Sequence, residues 1–316
     1  MEPAAQFARA QTILSSPKAD QDDFEEAVAL VESASAAAFP QATEMVALFE
    51  AMGVGRVQSW DRAFDALRSA AEQGSQSAQA QLRLLSASGQ EGSPAPDSSW
   101  AELRDRISLE ALLRHGERRS LCDGPRIRVI EGFASADECR WLIDRARSRL
   151  KEALIFDADG RQALDPGRSN RGAEFQLFDM DLVVEMVRAR ISAATNIPVP
   201  VFEPTQLLHY SVGQEFKPHR DFLEPDNPHH REQMRTHGQR IATFLIYLNE
   251  DFEGGETEFP EAGVKYRGRT GDALFWANVD MQGRPDPRTL HAGTPPSAGE
   301  KWILSQWIRD RAGQGR

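Results

Sequence analysis

The sequence predicts an α+β protein in two parts, a small α-helical repeat domain followed by a domain built on an antiparallel double-sheet barrel. Three observations carry this reading. Residues 1–87 repeat themselves in a helical rhythm, Ser86–Ser99 is rich in glycine, serine and proline, and from Leu207 onward the apolar runs become short, β-branched or aromatic. The boundaries that follow are 1–87 for the repeat domain, 88–124 for a linker and connecting helix, and 125–312 for the barrel domain.

Displaced against itself, the first part superposes Phe24 on Trp60, Ala27 on Ala63, Val31 on Leu67, Ala34 on Ala70, Ala42 on Ala78, Val46 on Leu82 and Phe49 on Leu85. Within each copy the apolar and alanine positions return every three or four residues, and Gly53, Gly55 and Gly74 punctuate the helices. A helix pair cannot bury its apolar face alone, so two pairs are expected to stack, with Phe7–Leu14 as a partial cap. The pattern Ala63, Leu67, Ala70, Ala71, Gly74 and Ala78 resembles the SEL-one-like repeats, relatives of tetratricopeptide repeats. That resemblance implies a concave face that binds a protein or peptide.

Ser86–Ser99 has no apolar periodicity and reads as a linker. Ser99 and Glu102 then fit a capping box, which starts a connecting helix with Trp100, Leu103 and Ile107 on one face. Past Pro125, a strand is expected at Ile127–Ile130 and helices at Ser135–Lys151 and Leu182–Thr195. Strands are expected at Leu207–Tyr210, Ile241–Leu248, Ala273–Trp276 and Trp302–Ile308. Phe222–Gln239, polar and rich in turn formers, is expected to be a solvated loop acting as a mobile lid, its three histidines not forming a second metal site. Trp276, Trp302 and Trp307 read as core.

Composition narrows the function. The chain of 316 residues carries 37 basic and 48 acidic side chains, and its net charge of −11 disfavours nucleic acid and anionic membrane as partners. Met1–Gln11 lacks the basic start and apolar core of a secretory signal, and no apolar run approaches the ~20 residues that span a bilayer. Cys122 and Cys139 are too few for a disulfide framework or a thiolate zinc site and read as small buried hydrophobes. The expectation is a cytoplasmic protein.

The chemistry concentrates late in the chain. In an extended segment His219 and Asp221 project from the same face and can aim an imidazole and a carboxylate at one point, although such a pair alone also fits a solvated loop. His291, beside a glycine-containing turn, supplies a third ligand candidate. Two histidines and one carboxylate can occupy one face of an octahedral ferrous ion and leave other positions open. Lys301 starts the strand KWILSQWI; as a strand-end lysine it could be solvated, but aimed into a barrel it requires an anion, which a dicarboxylate cosubstrate provides. Glu253–Thr257 lacks the lysine and helix start of a phosphate-binding loop and is read as a tight connection.

These residues fall in a larger pattern. It comprises Tyr210-x-x-Gly213-Gln214-x-Phe216-x-x-His219-x-Asp221, Gly238 to Thr243, Tyr247-Leu248-Asn249, and Gly254-Gly255-Glu256-Thr257-x-Phe259-Pro260. It closes with Gly271 to Leu274, Leu290-His291-Ala292-Gly293 and Lys301-Trp302. In order and spacing this resembles the 2-oxoglutarate- and Fe(II)-dependent dioxygenases of the prolyl 4-hydroxylase type, and Pro125–Leu142 fits the start of that domain more loosely. The resemblance implies a double-stranded β-helix, or jelly-roll, oxygenase domain that uses Fe(II), 2-oxoglutarate and O2, with ascorbate as an accessory reductant. It implies His219, Asp221 and His291 as metal ligands and Lys301 as partner of the distal carboxylate of 2-oxoglutarate. Tyr210 and Thr243 would hold the same end of the cosubstrate. The implied substrate is a peptidyl proline, docked by the helical repeats. At Arg168-Ser169-Asn170 the third position departs from the serine usual beside the substrate groove, which bears on the substrate and not on the metal. A free amino acid or small metabolite as substrate, and a non-catalytic metal-binding scaffold, are the competing readings.

Overall fold

The computed structural model describes residues 1–16, 19–88, 92, 94–152, 154–156, 162–164 and 167–312, without the side chains of 154–156, 162–164 and 229. Two compact units emerge, one from residues 1–114 with 177–193, the other from 115–176 with 194 onward.

The first unit is helical. It contains α1 (Pro3–Leu14), α2 (Gln21–Ala36), α3 (Pro40–Met52), α4 (Trp60–Glu72), α5 (Gln76–Ala87), α6 (Trp100–Arg106) and α7 (Leu109–Leu113). Local chemistry sets the helix starts. Asp20 and Asp23 form a capping box on α2, Ser59 and Ser75 cap α4 and α5, and Ser99 with Glu102 caps α6. The superposed positions do share a burial pattern: Ala27, Val31 and Ala34 on α2 and Ala63, Leu67 and Ala70 on α4 are all fully buried. So are Ala42 and Phe49 on α3 and Ala78, Leu82 and Leu85 on α5. Alanine at these positions lets neighbouring helices approach closely. Part of the expected linker, 89–91 and 93, lies outside the described residues.

This unit also takes a segment from beyond residue 125. Phe178 meets Phe7 edge to face, with ring centroids 6.3 Å apart. In the long helix Leu182–Thr195, the Leu182 amide donates to Gln81 Oε1 at 2.9 Å and Arg190 Nε donates to the Leu112 carbonyl at 2.5 Å. Among the described residues no helix is long and apolar enough to cross a membrane.

The second unit is the barrel. Its strands are β1 (Arg119–Asp123), β2 (Arg126–Ile130), β3 (Lys151–Glu152), β4 (Leu154–Phe156), β5 (Gln162–Leu164), β6 (Arg171–Glu174), β7 (Gln206–Tyr210) and β8 (Phe216–His219). They continue with β9 (Arg240–Tyr247), β10 (Phe252–Gly254), β11 (Thr257–Phe259), β12 (Val264–Tyr266), β13 (Ala273–Ala277), β14 (His291–Gly293), β15 (Pro296–Gly299) and β16 (Lys301–Arg309). An eight-stranded sheet runs β1-β2-β13-β9-β16-β7-β6-β3 and a four-stranded sheet runs β12-β11-β14-β8. Every pairing in both is antiparallel.

Side chains meet between the sheets. Tyr247 of β9 hydrogen-bonds Thr257 of β11 at 2.7 Å, and Phe259 of β11 packs edge to face on Trp276 of β13. With Ile127, Val129, Leu245, Leu274 and Ile303 they form the apolar core. On the outer face of the large sheet, Phe133 packs on Phe244, and a helix at Ala136–Arg147, capped by Ser135 and Glu138, brings Arg147 over Trp302.

Three parts differ from expectation. The sheet begins at Arg119 rather than at the expected domain start of 125, because the largely exposed segment RSLCD pairs with β2 while showing little apolar alternation. The expected loop at 222–239 contains a helix, Pro228–His237, with proline at its first position and Asn227 accepting the Arg231 amide. Gln239 fastens its base, since its side chain accepts from the Leu223 amide at 2.6 Å and donates to the Leu223 carbonyl at 2.8 Å. Short strands such as β8, β11 and β14, of three or four residues, carry too few positions for a period-two signal.

Between β10 and β11, Gly255 sits at φ +67°, and a Cβ there would lie 3.0 Å from the Phe252 ring and 3.3 Å from Lys301 Cδ. Gly255→Ala is therefore expected to destabilise the protein by ~1–3 kcal/mol, read as a lowered midpoint in urea, through strain at positive φ. An unchanged midpoint would show that this turn has slack the geometry does not suggest.

Candidate active site

Between the two sheets lies a pocket whose lining includes His219, Asp221, Thr243, His291, Lys301 and Tyr210. Period-two alternation explains the large-sheet side. In the β16–β7 register Lys301 faces Tyr210 and Ile303 faces Leu208, and in the β16–β9 register Ile303 faces Tyr247 and Trp307 faces Thr243. All turn inward together. The small sheet supplies the opposite wall, where His291 pairs with His219 across β14 and β8.

One ligand atom from each of His219, Asp221 and His291 falls within 4.8 Å of the others. Nε2 of His219 is 3.6 Å from Asp221 Oδ1, and Nε2 of His291 is 3.5 Å from Asp221 Oδ2. Each imidazole is oriented through its other nitrogen: Nδ1 of His219 lies 2.8 Å from the Lys217 carbonyl, and Nδ1 of His291 lies 2.9 Å from that of Thr289. A carbonyl only accepts, so both Nδ1 atoms carry the proton and both Nε2 lone pairs point at the shared space. Aromatic rings fix the planes. Phe216 stacks on His219 at 3.5 Å, and Trp276 meets His291 edge to face at 4.6 Å.

Burial, reinforced by the neighbouring His291, pushes His219 down to about 3, so it is a neutral ligand base at physiological pH. For Asp221 burial acts upward, but the two imidazoles, the Thr243 hydroxyl and Arg240 outweigh it and hold the carboxyl below its usual range, hence ionised. Two imidazole nitrogen donors and one anionic oxygen on one side of a small space suit a divalent ion with open positions.

Lys301 lies across the pocket. It is fully buried, and its Nζ has no hydrogen-bond partner among the described residues. The ammonium sits 5.0 Å from the Tyr210 ring centroid and 5.5 Å from that of Tyr247. Burial pulls Lys301 down to about 7, partly offset by Glu256. Tyr210, pushed up to about 12 by burial, is a neutral hydroxyl beside it. An orphaned buried cation in the pocket wall fits a carboxylate of a bound ligand.

The geometry thus brings His219, Asp221 and His291 together and sets Lys301 with Tyr210 at the other end. Thr243 has a different neighbour from the expected one: its hydroxyl donates to Asp221 Oδ2 at 2.6 Å, so it serves the three-ligand cluster rather than the Lys301 end. Of the three tryptophans expected in the core, Trp276 is part of it and also lines the pocket, Trp302 is buried on the outer face, and Trp307, only half-buried, lines the pocket. Arg168 also lines the pocket, with its guanidinium 4.6 Å from the Phe216 ring centroid. Asn278, which no motif marked, donates from Nδ2 to Thr243 Oγ1 at 3.0 Å.

Residues 205–309 match the 2OG-Fe(II) oxygenase superfamily. Prolyl 4-hydroxylase 1 of Arabidopsis thaliana is 31% identical over 232 residues, covering 68% of this chain and 79% of the relative. The chain belongs to the prolyl 4-hydroxylase family. It is accordingly a 2-oxoglutarate- and Fe(II)-dependent dioxygenase. The prolyl 4-hydroxylase subunit alpha-1 of Rattus norvegicus is 33% identical over 206 residues, but there the match covers only 38% of the relative. Among solved structures, the viral collagen prolyl hydroxylase from Paramecium Bursaria Chlorella virus-1 is 29% identical. It covers 60% of this chain and 98% of that one, with a TM-score of 0.46. In this member of the family the helical residues before Arg119 precede the matched oxygenase segment.

The buried lysine makes a stability prediction. Its folded value near 7 is below the unfolded one near 10.5, so between these the unfolded chain binds more protons and the ammonium costs stability, most of all below pH 7. Lys301→Met is expected to stabilise the cosubstrate-free protein by ~1–3 kcal/mol at pH 6. The gain should shrink as pH rises toward 10, as read by urea denaturation at each pH. A gain that grows with pH contradicts the assignment.

Proposed function

We propose that the chain hydroxylates a prolyl residue within a protein or peptide, with His219, Asp221 and His291 as the ligands of Fe(II) and Lys301 as the partner of the distal carboxylate of 2-oxoglutarate. The observation that carries this is the pairing of one three-ligand cluster with one orphaned, buried ammonium in the same pocket. The substrate class is supported by the prolyl 4-hydroxylases that the chain resembles.

Bound together, ferrous iron, 2-oxoglutarate and O2 supply the oxidation: the keto acid loses CO2 and takes one oxygen atom to become succinate, and the other oxygen enters a substrate C–H bond as hydroxyl. The residues place and protect these reactants. The Lys217 and Thr289 carbonyls hold the two imidazoles with Nε2 inward, and Thr243 holds the carboxylate. Lys301 anchors the far acid group by charge, and Tyr210 offers it a hydroxyl proton. Leu208, Leu245, Ile303 and Trp276 give the pocket apolar walls that keep water from the reacting atoms.

Ascorbate serves as accessory reductant in this reading, and the helical unit is the docking surface for the polypeptide that bears the proline. Cys122 and Cys139, the two cysteines of the sequence, are not joined in a disulfide, which supports a reducing, cytoplasmic setting.

Purified protein with Fe(II), 2-oxoglutarate, ascorbate and proline-containing peptides is expected to yield succinate in step with hydroxyproline localised by fragment mass spectrometry, and His219→Ala to yield neither. Turnover confined to free proline or small metabolites would overturn the substrate class. The affinity for 2-oxoglutarate carries a pH signature. Pairing needs the ammonium, which in the free site is lost as pH rises through about 7. Binding to Co(II)-loaded protein, measured by calorimetry, is expected to weaken by up to about tenfold per pH unit above that point. In Lys301→Met it is expected to be weak and nearly flat with pH. A flat profile in the unaltered protein would remove Lys301 from the role.

A further inference from the structure

A carboxylate carries two oxygens, and a facial set of three ligands needs only one of them. Here Asp221 is 3% exposed: Oδ1 lies 3.6 Å from His219 Nε2, while Oδ2 lies 3.5 Å from His291 Nε2 and also accepts the Thr243 hydroxyl at 2.6 Å. Thr243, 1% exposed, owns a single hydroxyl proton. What decides where that proton points is its second neighbour, Asn278, which is fully buried directly after β13.

Asn278 Nδ2 donates to Thr243 Oγ1 at 3.0 Å. An ionised carboxylate can only accept, so the hydroxyl proton belongs to Asp221 and the hydroxyl oxygen can only receive from Asn278. The amide must therefore turn its NH2, and not its oxygen, toward Thr243. Nor is the asparagine free to move: its backbone N–H donates to the Ile241 carbonyl at 2.8 Å, and its own carbonyl receives the Asp286 N–H at 3.0 Å. Oδ1 of Asn278 is buried and has no hydrogen-bond partner among the described residues. A satisfied structural amide uses both ends; this one is held for its donor end alone.

We propose that Asn278 is a positioning residue of the metal centre, acting through Thr243 to hold the Asp221 carboxylate in one orientation. The inference rests on the three-ligand reading given under Proposed function. The chain Asn278 N–H to Thr243 O–H to Asp221 runs one way. Without its first member, the threonine hydroxyl can rotate from the carboxylate to another acceptor.

The test is Co(II) titration of the full chain by calorimetry, which reads metal affinity without turnover. Asn278→Leu and Thr243→Val are each expected to weaken Co(II) binding about tenfold, the lower end of what loss of an outer hydrogen bond costs a metal site. If Asn278 acts through Thr243, the double variant is no weaker than the worse single variant, because the second change removes a link already broken. Thr243→Ser, which keeps the hydroxyl, is expected to bind Co(II) nearly as the unaltered protein does. Co(II) affinity unchanged in Asn278→Leu, or losses that multiply in the double variant, would overturn the proposal. Should the leucine variant fail to fold, Asn278→Ser carries the same comparison with the same expected loss. The underlying reading fails separately, if His219→Ala binds Co(II) as tightly as the unaltered protein.

Discussion

The antiparallel register of β7, β16, β9 and β13 is the constraint on which the site depends. Residues two apart on a strand share a face, and four strands in fixed register put Tyr210, Lys301, Ile303, Tyr247, Leu245, Thr243 and Trp276 on one wall. A slip of one position on β16 would turn Lys301 outward and Trp302 inward. It would leave a charged group against the helix that covers the outer face and would put an indole where the pocket lies. The register is held on both sides, since the backbone of β16 is bonded to β7 and β9 at once.

Electrostatics divides the pocket into two ends. At one, Asp221 is the anion beside two imidazoles and accepts from Thr243. At the other, the Lys301 ammonium is enclosed by the rings of Tyr210 and Tyr247. Aromatic faces soften the cost of burying a cation without replacing a counter-ion. The apolar core beside them, with Phe252, Phe259, Leu274 and Trp276, supplies the burial that lets the barrel tolerate an arrangement unfavourable by itself.

Much of this was legible in the sequence, for identifiable reasons. The long strands β9 and β16 carry enough consecutive apolar residues to announce themselves, and the helix at Leu182–Thr195 matches its expected bounds. The order His219, Asp221, His291, Lys301 sits in a spacing dense enough to resemble one family. Three-dimensional pairing was not legible. Thr243 looks like an ordinary strand threonine until the fold sets it against Asp221. Asn278 follows Phe275-Trp276-Ala277 with nothing local to mark it, and only the pairing of Trp276 with Thr243 brings it within reach. The helix at Pro228–His237 was hidden by its polarity, since a helix with no apolar stripe looks like a loop.

The return of residues 177–193 to the helical unit has an evolutionary corollary. A module that occupies one unbroken stretch of gene can be gained, lost or transplanted in a single recombination. Here the repeats own a helix encoded within the oxygenase, and Gln81 is the acceptor for its first amide. Cutting away residues 1–114 would strip that helix of two hydrogen-bond partners, Gln81 and Leu112, so the leading helices are not a detachable cassette.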